Sequence, residues 1–408
     1  MKIAIVLESN ITSGGGYNQA LNAIDQMLKL CKGKYETIVY TPINENIVNL
    51  NNLGIKASLF KFGFIDKVNA NSLNSSLLSL FQRKLKLYGR FEKKMLKDGC
   101  DLVYFLEATN RCLSLRKLNY INTIWDLAHR DSPEFPEVRI DRKFEARENL
   151  YKNSLPKAFL VIVDSKTLAK RCSSRYGIDV DKIIDMPFSP SPFFKDECNI
   201  EIKDLLIKYS IEEGYYYYPA QFWPHKNHIR ILQALVLLKN NKINKKVVFS
   251  GGDKGNLSYI KSKILEFGLE NNVELLGFVP SSHIKSLYKA SLAVVMPTYF
   301  GPTNIPPLEA WSLGKPLIYS SHLKENVGDA AILFNPDSAE DLAKAMTSVL
   351  DPIIVNKLVN KGNIRLNEIE LIRRNSKAKL IDKLDAFSMR MDCWNCTVHL
   401  TNHNNSKL

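Results

Sequence analysis

The chain has 408 residues, 45% hydrophobic and 24% charged, which excludes the disordered and fibrous classes and, at roughly 150 residues per domain, calls for two or three domains. Lys and Arg exceed Asp and Glu by 56 − 42 = 14, a bias toward polyanions, anionic membrane surfaces or phosphorylated small molecules that does not choose among them. No apolar run approaches the roughly 18 residues of a membrane span, and the apolar stretch between Met1 and Glu8 is too short for a signal peptide and has no small-residue cleavage site after it, so a cytoplasmic location is expected.

Along the chain, short β-rich runs alternate with longer helix-compatible stretches. In the first half the runs are Lys2 to Glu8, Glu36 to Tyr40, Lys56 to Phe62, Asp101 to Leu106, Asn122 to Asp126 and Phe159 to Asp164. Continuous Val/Ile/Leu/Tyr runs of this kind are buried on both faces, which points to a parallel sheet covered by helices. The stretch Met186 to Phe194 carries Pro187, Pro190 and Pro192; it cannot continue a helix or a central strand and reads as a linker or cleft edge. The alternation then restarts with Tyr215 to Tyr218, Lys246 to Ser250, Val273 to Leu276, Leu292 to Met296, Pro316 to Ser320 and Ala331 to Phe334. Pro352 to Met389 is helical in pattern and rich in Lys and Arg. The expected fold is therefore α/β, with two Rossmann-like doubly wound domains facing each other across a cleft and the informative residues at the carboxyl ends of the strands.

Five strand ends carry chemistry. Gly14, Gly15 and Gly16 follow the first strand and open a helix, a place where backbone N–H groups can meet an anion; the pattern is not GxGxxG, and a plain turn is the bland alternative. The second domain opens with Pro219-Ala-Gln-Phe-Trp-Pro-His-Lys-Asn-His228, where Lys226 suits a diphosphate as a point charge against phosphate oxygens. Ser250-Gly-Gly-Asp253 and Gly277-Phe-Val-Pro280 close two further strands and could admit a flat base against the backbone. The segment from Pro297 to Pro316 joins a strand to a helix bearing Glu309, whose carboxylate can accept two ribose hydroxyl hydrogens.

In combination these motifs resemble the nucleotide-sugar glycosyltransferases of the GT-B fold, specifically the retaining glycosyltransferase family 4. The motifs are Gly-Gly after the first strand, Lys-Asn opening the second domain, Gly-Phe-Val-Pro, and Pro-Pro-Leu-Glu-Ala followed by Gly-Lys-Pro. The resemblance covers about residues 1 to 385 and is strongest from Tyr217 to Pro336. It implies an acceptor domain at 1–190, a donor domain at 191–370, and a helix at 371–408 that returns toward the first domain and ends in a polar tail. It also implies that Lys226 neutralises the donor diphosphate, that Glu309 holds the ribose, and that Gly15 or Gly16 caps the phosphates, with Gln221, Asn227, Gly252, Val279, Thr303, Asn304 and Ile305 lining the donor. Two positions depart from the family pattern: Gln221 stands where an Arg is usual, and Gly301 stands where the first Glu of an E-x7-E signature is usual, leaving Thr303 and Asn304 to meet the transferred sugar.

In the first domain, Thr123-Ile-Trp-Asp-Leu-Ala-His-Arg130 resembles a loop that normally holds His-Asp; Trp125 takes the His position. His129 is the substitute expected to face the cleft as a catalytic residue, with Asp126 as its partner. The implied reaction is transfer of a sugar, with GDP-mannose as first donor, to a lipid-linked or cell-surface saccharide such as a lipopolysaccharide O-antigen, with retention. A cationic cradle that favours the departing diphosphate lowers that barrier, so no metal and no cofactor is expected. A nucleotide-sugar epimerase of similar fold is the alternative enzyme.

From Arg83 to Asp98 seven basic and two acidic residues mix with apolar ones, a segment expected to hold the enzyme peripherally on anionic lipid at the inner face of the plasma membrane. Nucleic acid is not an expected partner, for no finger, helix-turn-helix or stacking motif accompanies the charge. The seven Cys, odd in number and mostly scattered, fit reduced thiols. Cys393, Cys396, His399 and His403 are possible zinc ligands, but nothing separates the two pairs as in ordinary zinc modules, and a polar tail is the preferred reading.

Overall fold

The computed structural model describes residues 1–10, 15–71, 88–190, 200–301 and 305–403, with backbone only for 15–18, 71 and 394–403. Among the described residues, thirteen strands form two all-parallel sheets. The first contains β1 (Lys2–Val6), β2 (Glu36–Thr41), β3 (Ala57–Leu59), β4 (Leu102–Phe105), β5 (Asn119–Ile124), β6 (Leu160–Val163) and β7 (Ile183–Asp185), ordered β3-β2-β1-β4-β5-β6-β7. The second contains β8 (Tyr216–Pro219), β9 (Val247–Ser250), β10 (Val273–Leu275), β11 (Ala293–Met296), β12 (Leu317–Ser320) and β13 (Ile332–Phe334), ordered β10-β9-β8-β11-β12-β13. Each order reverses direction once, between β1 and β4 and between β8 and β11, and the crevice at such a switch point is where open parallel sheets bind ligands.

The central strands β4, β6, β9, β11 and β12 are buried along their whole length, as strands covered by helices on both faces must be. Four consecutive tyrosines enter this interior because each hydroxyl finds a partner. Tyr215 and Tyr216 donate to the carbonyls of Leu287 and Met346, both at 2.7 Å, Tyr217 pairs with Ser250 Oγ at 2.7 Å, and Tyr218 donates to the Lys226 carbonyl at 2.9 Å. Large aromatic area is thus buried with no orphaned polar atom on those rings.

The chain crosses between domains twice. Met186 lies in the core of the first domain and Phe188 in that of the second, so the Pro-rich stretch is the first crossing. The helix Pro352–His403 is the second. Its start is set by Asp351, whose carboxylate accepts the Ile353 N–H at 2.8 Å, with Pro352 at the first helical position. Leu358 and Ile369 pack into the second domain, and Leu380, Leu384 and Phe387 into the first. Gly362 costs helix propensity of about 1 kcal/mol, but a Cβ there would lie 2.5 Å from the ring of Trp311, so only glycine lets the helix lie on that buried indole. Among the described residues no helix is long and apolar enough to cross a membrane.

β7 is the one strand that the β-rich runs of the sequence do not announce. Three residues wedged between a helix and the Pro-rich crossing are too short for periodicity to register.

Candidate active site

The carboxyl edges of the two sheets face each other, because every cross-domain contact below joins loops that leave those edges. Phe135, after β5, lies against Tyr299 and Phe300, after β11, at ring-centroid distances of 5.3 and 5.4 Å. Glu137, on the short helix Pro136–Arg139, receives both the backbone N–H of His225, at 3.0 Å, and its ring Nδ1. Thr167, after β6, donates to Glu325, after β12. Trp125 packs on the second-domain core and against Phe188 at 5.1 Å.

On the second-domain side, the residues after β8 form a tightly tied loop. Asn227 adopts a left-handed conformation with φ of 55°, which Asn tolerates better than most residues. Its amide donates to the carbonyls of Pro297, at 3.2 Å, and Pro336, at 3.0 Å. Together with the Tyr218 bond to the Lys226 carbonyl, these contacts fix the backbone that carries Lys226. Burial pulls the Lys226 ammonium down to about 8, while the carboxylates of Asp126 and Glu137 on the opposite wall hold it up. A partly desolvated cation held by rigid backbone beside a switch point is suited to a diphosphate.

The other expected donor residues of this domain follow the carboxyl ends of β8, β9, β10 and β11. Gln221 accepts the indole N–H of Trp223 at 3.1 Å. At Gly251 a Cβ would sit 2.3 Å from the Ala220 carbonyl, so this close crossing requires glycine; Gly252 is open, and its carbonyl accepts the Phe222 N–H at 3.0 Å. Val279 and Ile305 are buried. Glu309, on the helix Ile305–Ser312, is 5% exposed and accepts the Tyr288 hydroxyl at 2.7 Å. Lys226 after β8 and Glu309 after β11 therefore flank the crevice of the second sheet. Thr303 and Asn304 lie outside the described residues. Gly15 and Gly16 are the first residues of the helix Gly15–Cys31, which follows the carboxyl end of β1.

The first-domain wall departs from expectation. His129 does not face the cleft: its side chain has no exposure, and its ring lies 5.5 Å from Phe144 and 5.4 Å from Tyr151. Its Nε2 is 3.3 Å from Glu148 Oε2 and 3.4 Å from the Tyr176 hydroxyl. Burial lowers its pKa, with Arg147 adding to the effect and Glu148 opposing it. Glu148 is the hub of this buried cluster, accepting Arg130 Nε at 2.7 Å, Arg130 Nη2, and the Tyr176 hydroxyl at 3.1 Å. Arg130 first, and then the further hydrogen bonds, hold Glu148 down at about 2 against the opposing effect of burial. Asp126 does reach the cleft side, where it pairs with Arg147 at 2.6 Å and accepts the Ala128 N–H at 2.9 Å.

Sequence reading missed two groups. One is the clasp of Glu137 and His225. The other is a polar cluster at the switch point of the first sheet, where Glu8 pairs with Arg111 at 2.9 Å and Glu107 accepts the Ser9 N–H at 2.9 Å. Burial raises the pKa of Glu8, and Arg111 partly offsets it. Strand-end position was the available signal for the second group; nothing local distinguishes Glu137 from other surface glutamates. Asp179-Val-Asp181, an Asp-x-Asp triplet of the kind that can hold a divalent ion, lies before the amino end of β7, and Asp179 accepts the Asp181 N–H at 3.0 Å. It therefore stands at the opposite end of the strand from the cleft. No cluster of His, Cys, Asp and Glu that could hold a metal occurs among the described residues. The side chains of Cys396, His399 and His403 lie outside them.

Residues 208–361 match the family of glycosyl transferases group 1. The chain is 26% identical over 262 residues to the O-antigen chain mannosyltransferase B of Escherichia coli, covering 63% of this chain and 67% of that protein. It is 23% identical over 205 residues to the O-antigen chain mannosyltransferase RfbU of Salmonella typhimurium, covering 49% of this chain and 53% of that one. The crystal structure of Anabaena HepE in complex with UDP superposes with a TM-score of 0.69 at 16% identity, over 94% of this chain and all of that one; that of WaaG, a glycosyltransferase of lipopolysaccharide biosynthesis, does so with a TM-score of 0.61. Residues 208–361 thus constitute a glycosyltransferase group 1 domain, set in a two-domain fold shared with the GT-B glycosyltransferases.

Proposed function

We propose that this protein transfers a hexosyl group from a nucleotide diphosphate donor to a lipid-linked or cell-surface saccharide, as a retaining, metal-independent enzyme of glycosyltransferase family 4. The observation that carries the reading is the placement of Lys226 and Glu309 on either side of the β8/β11 crevice, within the segment that matches the group 1 family. In the transfer, the bond between the sugar's anomeric carbon and the diphosphate oxygen breaks, the electron pair leaves with the diphosphate, and an acceptor hydroxyl oxygen forms the new bond while its proton passes to the departing diphosphate oxygen. The Lys226 cation offsets the charge that builds on the leaving group, and the walls of a closed cleft strengthen that effect by excluding water. Mannose is the first donor sugar to try, because two relatives are described as O-antigen chain mannosyltransferases. None of the relatives named above is an epimerase.

A lipid-linked acceptor would favour peripheral attachment to an anionic membrane. The described helix Arg90–Lys97 contributes Arg90, Lys93, Lys94 and Lys97; Arg83, Lys84 and Lys86 lie outside the described residues. Each basic side chain near such a surface contributes about 1 kcal/mol. Co-sedimentation with phosphatidylglycerol vesicles, but not with phosphatidylcholine ones, and release by salt are the expected results.

The test of function is a panel of GDP-, UDP- and dTDP-sugars, read by thermal protection and by slow donor hydrolysis. Protection by one nucleotide series, lost in Lys226→Ala, supports the reading. Protection by none of them overturns it.

A further inference from the structure

Glu137 is a carboxylate whose two oxygens are in different situations. Oε1 is doubly held by His225, through the backbone N–H at 3.0 Å and through the ring Nδ1. Oε2 is buried and has no hydrogen-bond partner among the described residues, although the side chain is only 7% exposed. Burial resists the charge on Glu137, yet the His225 bonds leave its pKa lowered; burial also drives His225 down to about 4. At neutral pH the pair is thus a neutral imidazole donating from Nδ1 to a carboxylate, and Oε2 remains a pure acceptor. A buried acceptor with no donor is costly, and its donor is to be sought in a ligand.

The surroundings say which ligand. The His225 ring stacks on Phe300 at 3.9 Å, and Phe135 closes over Tyr299 and Phe300. The next residue after His225 is Lys226, whose charge feels Glu137. The loop Pro297–Gly301 offers no carboxylate of its own, and its hydroxyls are engaged, Thr298 with the Phe300 carbonyl at 2.6 Å and Tyr299 with Asp337 at 2.6 Å. A phosphate presents only acceptors and is repelled by a carboxylate. With the ribose hydroxyls assigned to Glu309, the part of a nucleotide sugar left to donate to Glu137 beside the diphosphate lysine is the hexosyl group.

We propose that Glu137 reads the transferred sugar: with Oε1 anchored on His225, Oε2 accepts a hydroxyl hydrogen from the hexosyl group of the donor. The contact is delivered from the first domain to a donor bound on the second, so it is made only while the Phe135–Phe300 and Glu137–His225 contacts hold the cleft closed. Sugar recognition and closure are then one event. This inference rests on the nucleotide-sugar reading given above.

The experiment is calorimetry without acceptor, titrating GDP, GDP-mannose, UDP and UDP-glucose into wild type, Glu137→Ala and Glu137→Gln. The expected result is that the free nucleotide recognised by wild type binds both variants within about twofold of wild type, while the ratio of sugar-nucleotide to free-nucleotide affinity falls fivefold or more in Glu137→Ala and by less in Glu137→Gln. Equal weakening of both ligands overturns the proposal, because it marks Glu137 as only a brace for His225 and Lys226; an unchanged ratio overturns it as well. Should the alanine variant not fold, the glutamine variant, which keeps the volume and an acceptor for His225, carries the same comparison. A wild type that binds none of the four probes and no other member of the GDP-, UDP- and dTDP-sugar panel overturns the proposed function itself, and this inference with it.

Discussion

The two sheets share one strand order over six strands, the first adding β7 at its edge, but they stabilise their carboxyl edges in different ways. In the second domain the loops after β8 and β11 are tied by single hydrogen bonds from Asn227, Tyr218 and Tyr288 to carbonyls and to Glu309. Those bonds leave a cation and a carboxylate flanking the crevice. In the first domain the loop after β5 is held by ion pairs, Arg130 with Glu148 and Arg147 with Asp126, and the imidazole that a motif reading assigns to catalysis is absorbed into that framework. The ties of the second-domain loops run mostly through neutral donors, whereas those of the first-domain loop pair charges with one another. Substitutions should therefore separate cleanly: those in the second-domain loop change binding at little cost in stability, and those in the first-domain cluster do the reverse.

The largest expected effect is on stability. Glu148→Ala leaves Arg130 and His129 without their partner, and breaking such a buried pair costs about 3 kcal/mol, the low end of the range because Arg130 is partly exposed. Denaturant unfolding should show this loss with nucleotide affinity of the folded protein unchanged. Because the folded pKa of Glu148 lies below the ordinary carboxylate value, its stabilisation is full above about pH 4.5 and is lost as pH falls toward 2. A variant as stable as wild type would break the comparison.

Lys226→Ala should do the opposite. Hydrogen bonds to charged groups contribute roughly 1.5–3 kcal/mol, so affinity for the nucleoside diphosphate should fall tenfold or more while the melting temperature stays within a degree or two. Unchanged affinity would remove Lys226 from the site.

His129→Phe tests the reassignment directly. It removes the contacts to Glu148 and Tyr176 from a fully buried position and should cost about 1–2 kcal/mol of stability. Turnover per folded molecule should hold; a large fall in kcat with an unaltered melting temperature would return His129 to the active site.

The depressed pKa of Lys226 sharpens the comparison without a mutation. The ammonium is charged below about 8 and loses its proton above it, so diphosphate affinity should be flat near pH 7 and fall at higher pH, approaching tenfold per unit. The same titration of Lys226→Ala should be flat throughout.

The smallest effect is expected for Glu309→Gln. The amide keeps one acceptor oxygen for Tyr288 or for ribose but presents donors where ribose hydroxyls also donate. Wild type should prefer a nucleotide over its 2′-deoxy analogue by a margin that narrows several-fold in the variant; an unchanged margin would show that another residue reads the ribose.

Local chemistry made the second domain readable. The spacing from Lys226 to Glu309 is held in continuous motifs, and each lies at the end of a strand that the apolar runs reveal. The first-domain loop shows the limit of such reading. Trp125, Asp126 and His129 are neighbours in sequence, but the turn of the short helix Ala128–Asp131 sends His129 into the core while Asp126 stays beside Lys226. Spacing within four residues cannot tell which side of a loop meets solvent.

By itself the sequence determined the α/β class, the two sheets and the chemistry of the donor loops, because period, propensity and turn residues act over a few neighbouring positions. Only the tertiary structure decided that one helix, Pro352–His403, would pack on both cores, that Glu148 would claim His129, and that Glu137 would reach His225 from 88 residues away. Those pairings depend on two domains closing on each other, and that closure is set by packing across the cleft, where no local pattern in the chain records it.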